Sequence, residues 1–190
     1  MNNIIPNLSV ALLHDDMLDK QGKVVTTSLT LLDVHDIARS ARTFGLQSFF
    51  IAHSLSTMRT LASVLHSHWQ VGYGATYNPN RKEALSIVQV VAKLQDAEQE
   101  LLQRFGAPPK LIATSARPGA ARTSFADMRT ILRQQPAAPF LLMLGTGWGM
   151  SEPLLNRADY FLEPIHGVAD FNHLSVRSAC AIMLDRLMSS

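Results

Sequence analysis

Short apolar runs that recur between longer helical periods constrain this sequence more than anything else in it. The runs are SVALLH (9–14), LQSFFIAH (46–53), WQVGY (69–73), KLIATSA (110–116), PFLLMLG (139–145) and DYFLEPI (159–165). Runs of this length with little polar alternation read as strands covered on both faces. Between them the apolar spacing turns helical over 33–44, 56–67, 81–105, 124–134, 152–156 and 174–188. Strands alternating with helices predict an α/β fold, a mostly parallel sheet flanked by helices. Gly106, Pro108 and Pro109 stop the third helix. No repeat, low-complexity tract or long linker divides the chain, so one domain is expected over 1–190.

Composition narrows the function classes. With 47% hydrophobic and 17% charged residues the chain is globular, not disordered. A net charge of +2 does not by itself mark a nucleic-acid binder, although 12 Arg stand against 5 Lys and arginine reads phosphates well. A single cysteine, Cys180, excludes an internal disulfide and a multi-cysteine zinc site. Neither a basic leader nor a membrane-length apolar stretch is visible, and the expectation is a cytoplasmic protein. The last helix, within NHLSVRSACAIMLDRLMSS, is apolar around most of its circumference, with Arg177, Asp185 and Arg186 as a narrow polar strip. Such a helix packs on several sides, which favours a homodimer over a helix tucked wholly into its own core.

The stretch LLMLGTGWGM carries three glycines, Gly145, Gly147 and Gly149, directly after a strand. Its GxGxG spacing, late position and intervening Trp148 disagree with a dinucleotide fingerprint, and the GK[ST] of a P-loop is missing. No lysine or arginine is near enough in sequence to neutralise a pyrophosphate. The loop therefore suits a ligand that is not polyanionic, held by backbone groups and an apolar wall, or else a tight strand–helix connection. Trp148 reads as packing that fixes the turn. ATSARPG (113–119), LEPIHG (162–167) and FNHLSVRSA (171–179), the last with Asn172 and Ser175 free to cap or to bond a ligand, add small and polar residues at further loops of one sheet edge. Ligands of open α/β sheets bind at that edge, so together the loops form a pocket.

These segments, in this order, resemble the SPOUT superfamily of RNA methyltransferases. LGTGWG, EPIHG and HLSVRSA are similar to its three C-terminal elements. DVHDIARSARTFG (33–45) is similar to the first motif of its ribose-methylating branch, roughly N-x-G-x-I-x-R-[ST]-A-x-x-F-G, with Ile37, Arg39, Ser40, Ala41, Phe44 and Gly45 in register. The resemblance covers about residues 30 to 188. Asp33 stands where that branch has asparagine, His35 where it has glycine and His173 where it has asparagine, so the target atom stays open between a ribose 2′-oxygen and a base nitrogen.

The resemblance implies a C-terminal deep trefoil knot, S-adenosylmethionine as cofactor, a tRNA or rRNA substrate and no DNA. It places the cofactor against Thr114, Ser115, Leu144, Gly145, Thr146, Gly147, Gly149, Ile165, Gly167, Leu174 and Ser175. Arg42, Arg81, Arg117 and His173 are implied for RNA, and Arg39 and Asp33 for catalysis. Arginine holds its proton to about pH 12 and above, so Arg39 suits phosphate binding and oxyanion stabilisation better than general-base work. A surface pairing of Arg39 with Asp36 or Asp33 is the plainer alternative. His14, His53 and His166 near strand ends lack the spacing of a known ligand set, and no metal is expected. GATYNPNRKEAL (74–85) could grip a phosphate through Asn78, Asn80, Arg81 and Lys82 or simply cap a helix, and VVTTSLT (24–30) could lie over the active site. Two other readings remain open: a non-catalytic RNA-binding or assembly protein on the same scaffold, and an unrelated nucleotide-dependent α/β enzyme.

Overall fold

A computed structural model describes residues 5–117, 121–168 and 171–189. Along the chain, β1 (Leu8–Leu13) leads into a two-stranded antiparallel hairpin of β2 (Met17–Leu18) and β3 (Val24–Val25). Then come α1 (Leu31–Thr43), β4 (Phe49–Ala52), α2 (Ser56–Gln70), α3 (Tyr73–Tyr77), α4 (Pro79–Leu85) and β5 (Val88–Val91). The second half holds α5 (Leu94–Phe105), β6 (Lys110–Ala113), α6 (Phe125–Gln134), β7 (Phe140–Leu144), α7 (Glu152–Leu155), β8 (Tyr160–Phe161) and α8 (Val176–Met188).

Six strands form one sheet in the order β5-β4-β1-β7-β6-β8, and every ladder in it is parallel. All six residues of β1 and all five of β7 are buried, because helices cover both faces and leave no solvent side to select polar residues. Alternate residues supply the two cores. Val10, Leu12, Phe49, Ile51, Leu142 and Leu144 face the side of α1, α6 and α8. Ala11, Leu13, Phe50, Ala52, Leu141 and Met143 face α5 and the α7 side. Among the described residues no helix is long and apolar enough to cross a membrane.

Three expectations need correction. The run 69–73 is not a strand: Trp69 and Gln70 finish α2, and Gly72 turns the chain into α3. A short apolar run with a tryptophan reads equally well as a buried helix end, and here Trp69 packs on the main core from α2. The helix expected over 81–105 is two helices with β5 between them. Ile87, Val88, Val90 and Val91 are β-branched and fit the pleat better than a helix; the three valines pair with β4, and the Ile87 carbonyl accepts from Phe49 N–H at 2.9 Å. Asp96 restarts the helix by accepting from the Ala92 and Lys93 N–H groups at 3.1 and 3.0 Å. The strand expected over 159–165 shrinks to β8, with Leu162 adding one bridge to Thr123. Cys180 is fully buried in α8, and burial pushes its thiol up to about 12.

Candidate methyl-donor pocket

The glycine turn follows β7 and is fixed by backbone bonds to β2. Trp148 N–H donates to the Leu18 carbonyl at 3.0 Å, Leu18 N–H donates to Gly149 at 2.8 Å, and Gly149 N–H closes onto Thr146 at 3.1 Å. Gly147 has φ +59°, and a Cβ there would sit 3.1 Å from both the Leu18 oxygen and Thr27 Cγ2. Glycine is required there by conformation and by space together. Trp148 does not pack the turn; its side chain is half exposed, so the backbone ladder replaces the packing role expected for it.

Hydroxyl groups tie the turn to the segment after β3. Thr146 donates its O–H to the Leu13 carbonyl at 3.0 Å, and its oxygen lies 2.5 Å from the Thr27 hydroxyl. Thr27 in turn meets His14 Nδ1 at 3.1 Å. His14 is 1% exposed and stacks on His53 at 5.0 Å. Burial first, then the neighbouring His53, push the His14 imidazole down to about 4, so it is neutral at pH 7. With Thr146 donating to Leu13, the chain of donors runs His14 to Thr27 to Thr146, which assigns the His14 proton to Nδ1.

Two further loops meet the turn. Thr114, at the end of β6, donates to the Met143 carbonyl at 2.8 Å. Ser115 Oγ accepts from the Arg117 N–H, and the Arg117 guanidinium donates to the Trp148 carbonyl at 2.8 Å. Asn172 donates to the Ala116 carbonyl at 3.1 Å, joining the segment before α8 to the same corner. Between these loops lies a cavity of about 750 Å³. Thr27, Ser28 and Thr30 form one wall, so only the second part of the 24–30 segment reaches this pocket, whereas Val24, Val25 and Thr26 line a separate cavity.

The structure brings most of the sequence-derived residues together. Thr114, Ser115, Leu144, Gly145, Thr146, Gly147, Gly149, Ile165 and Leu174 line this one cavity, as do Asp33, Arg117 and His173. Gly167 is exposed outside the lining, and Ser175 caps α8 by accepting from Ser178 N–H. Arg42 pairs with Glu83 at 2.8 Å, and Arg81 lies 4.5 Å over the Trp69 ring, both away from the cavity. Arg39 is exposed on α1, outside the lining. His14 and His53 meet, yet among the described residues no group of three His, Cys, Asp or Glu is arranged to hold a metal.

Arg177, which sequence reasoning left in a polar strip, is tied to the pocket wall. Its Nη1 donates to the buried Asp33 carboxylate at 3.0 Å, and its Nε lies 3.4 Å from Asp36. The surface pairing weighed for Arg39 is therefore made by Arg177 from α8. Val176, Ala179 and Met183 complete the apolar wall. Their spacing along α8 places them on one helical face, a signal present in the sequence but masked by a helix apolar nearly all round.

The lining fits S-adenosylmethionine. Its only charged side chains among the described residues are Asp33, neutralised by Arg177, and Arg117 at the rim. A polyanion would find no cluster of cations there. Leu144, Ile165, Val176, Ala179 and Met183 offer an apolar slot for an aromatic base, and the cavity is within the usual range of about 300–1,000 Å³ for such ligands.

A parallel α/β sheet with a cavity at its last three strand-end loops gives this protein a fold shared with solved SpoU and TrmH structures. The SpoU methyltransferase AviRb from Streptomyces viridochromogenes, in complex with AdoMet, superposes with a TM-score of 0.57 at 16% identity, over 99% of this chain and 60% of that one. The Aquifex aeolicus TrmH/SpoU tRNA modifying enzyme gives 0.54 at 16% identity, over 96% and 74%. The chain belongs to the SAM-dependent RNA methyltransferase family, whose model matches residues 7–189. It is 36% identical to an uncharacterized protein of Aquifex aeolicus (strain VF5), over 96% of this chain and 89% of that protein. It is 42% identical over 182 residues, 96% of its length, to a tRNA (guanine-N(1)-)-methyltransferase of Oleidesulfovibrio alaskensis. It spans only 42% of that relative's length.

Proposed function

We propose that this chain, acting as one methyltransferase domain, transfers a methyl group from S-adenosylmethionine to a tRNA or rRNA nucleotide, at a ribose 2′-oxygen or a base nitrogen. The observation that carries this reading is the single cavity joining the glycine turn, Ile165 and the start of α8 in a chain of this family. When bound, the cofactor supplies a methyl carbon already activated by its sulfonium. The protein's own task is alignment, which can contribute up to about 7–11 kcal/mol, and control of one proton on the acceptor. Asp33, held by Arg177, is the acid at the cavity wall and is assigned to orient the acceptor nucleotide. Arg39 and Arg117 are assigned to the RNA phosphates.

The same reading includes a C-terminal trefoil knot and a homodimer. In support of the dimer, Leu174 of the cavity lining is 47% exposed, and Phe171, which meets His173 of the lining at 5.5 Å, and Leu32, next to Asp33 on α1, are 76% and 53% exposed, apolar surface suited to a second copy. Such an enzyme works in the cytoplasm, where tRNA and rRNA are. Comparative nucleoside mass spectrometry of total RNA, with and without the gene, is the test. Loss of one methylated nucleoside is expected and identifies the acceptor atom. Unchanged nucleosides would refute the enzyme and favour an RNA-binding or assembly protein.

A further inference from the structure

From Ile37 to Lys82 the chain carries no aspartate or glutamate, while Arg39, Arg42, Arg59, Arg81 and Lys82 all fall within it. The fold gathers part of this stretch into a layer. The helices α2, α3 and α4 sit between β4 and β5 and pack on one another and on α1. Arg81 lies over the Trp69 ring, and His35 and His68 meet that ring edge-on at 5.8 and 5.1 Å. His35 is held below its ordinary pKa by burial first, then by the positive field of Arg81, against the opposing pull of Asp36. Arg81, His35, His68 and the tryptophan therefore form one cluster.

At its outer edge stand two tyrosines. Tyr73 and Tyr77 stack on each other with centroids 5.8 Å apart and planes 25° apart, yet remain 74% and 72% exposed. Val71 beside them is 83% exposed. Single exposed apolar residues are ordinary, but a contiguous aromatic group flanked by cations is not. The local chain is shaped to present it. A Cβ on Gly72 would lie 2.7 Å from the His68 carbonyl oxygen, and one on Gly74 would lie 2.7 Å from Trp69 Cε3. Both glycines let the chain turn tightly over Trp69, so that Tyr73 and Tyr77 point outward.

We propose that Tyr73 and Tyr77, with Arg81 and Lys82 on the packed helix α4, form a docking face for an unpaired segment of the RNA substrate. Tyrosine faces stack bases without regard to sequence, and Arg81 and Lys82 attract the backbone, the nearest acids Glu83 and Asp36 being paired with Arg42 and Arg177. This deepens the RNA methyltransferase reading and rests on it, but the face is separate from the donor cavity and can be measured separately.

The experiment is fluorescence anisotropy of a labelled single-stranded RNA of about 12 nucleotides, of mixed sequence, with the full chain and no methyl donor. Tyr73→Ala and Tyr77→Ala are each expected to weaken binding about fivefold or more, and the pair about 30-fold or more, while Tyr→Phe at both sites keeps the affinity. Lys82→Ala is expected to lower the slope of log K against log salt by about 0.7. Calorimetric binding of S-adenosylmethionine by the double alanine variant, measured in parallel, is expected to match the unsubstituted protein and reports an intact fold. RNA binding that survives the double substitution, or is missing from the unsubstituted protein, overturns the proposal. So does an affinity loss that tracks a change from dimer to monomer in sedimentation, which assigns the face to a second copy of the chain. Absence of donor binding by the unsubstituted protein would instead count against the methyltransferase reading and leave the RNA comparison readable.

Discussion

Replacing Arg177 by glutamine tests the link between α8 and the donor pocket. The guanidinium is the partner of the Asp33 carboxylate at 3.0 Å, with side-chain exposures of 32% and 11%. Breaking a fully buried pair costs about 3–5 kcal/mol because the remaining charge is left uncompensated. Partial exposure of Arg177 reduces that, and a hydrogen bond to a charged group is worth about 1.5–3 kcal/mol, so about 2 kcal/mol is expected. Asp33→Asn should cost less, about 1 kcal/mol, since Arg177 keeps Asp36 at 3.4 Å and some water. Combining the two removes the uncompensated carboxylate, and the double variant should be at least about 1 kcal/mol more stable than the sum of the singles. Urea denaturation of all four proteins, compared at constant m-value, measures this coupling. Additivity within about 0.5 kcal/mol would show that Asp33 is solvated without Arg177 and refute the reasoning.

Other outcomes follow from the same structure. The folded His14 imidazole takes its proton only near pH 4, whereas an unfolded histidine takes it near 6.5. Stability is therefore complete above pH 6.5 and falls as pH drops towards 4, by at most about 3 kcal/mol from this residue. His14→Gln should flatten that decline, with His53, also lowered by burial, keeping the rest; parallel curves for the two proteins would contradict it. Trp148→Ala should change stability by no more than about 0.5 kcal/mol, because backbone bonds hold the turn, and a larger loss in thermal melts would restore the packing role. Cys180 should react with a thiol reagent only as fast as the protein opens, so labelling at the rate of free cysteine would disprove its burial.

The parallel sheet was legible because β1, β6 and β7 are too apolar to be anything but covered on both sides. The pocket was legible for a related reason: glycine and small residues at strand ends mark close backbone approach, and they fall on one edge of the sheet. The region from 69 to 91 was not. A run such as WQVGY suits either a strand or the end of a buried helix, and β5 is hidden inside helical spacing until β4 provides its ladder. Arg177 could not be assigned either, since 144 residues separate it from Asp33 and one sequence holds no signal for that contact. Likewise the neutral tautomer of His14 depends on burial and on Thr27, both products of the fold.

The central claim is tested most directly by calorimetric titration of S-adenosylmethionine into the full chain and into two variants, one that strains the glycine turn and one that crowds the cavity from α8. Gly147→Val places a branched side chain at φ +59°, and Ala179→Phe intrudes from α8. One equivalent bound per chain is predicted, with affinity at least about tenfold weaker in each variant that retains a cooperative melt. Absence of binding to the unsubstituted chain, or binding that both substitutions leave intact, would contradict the account.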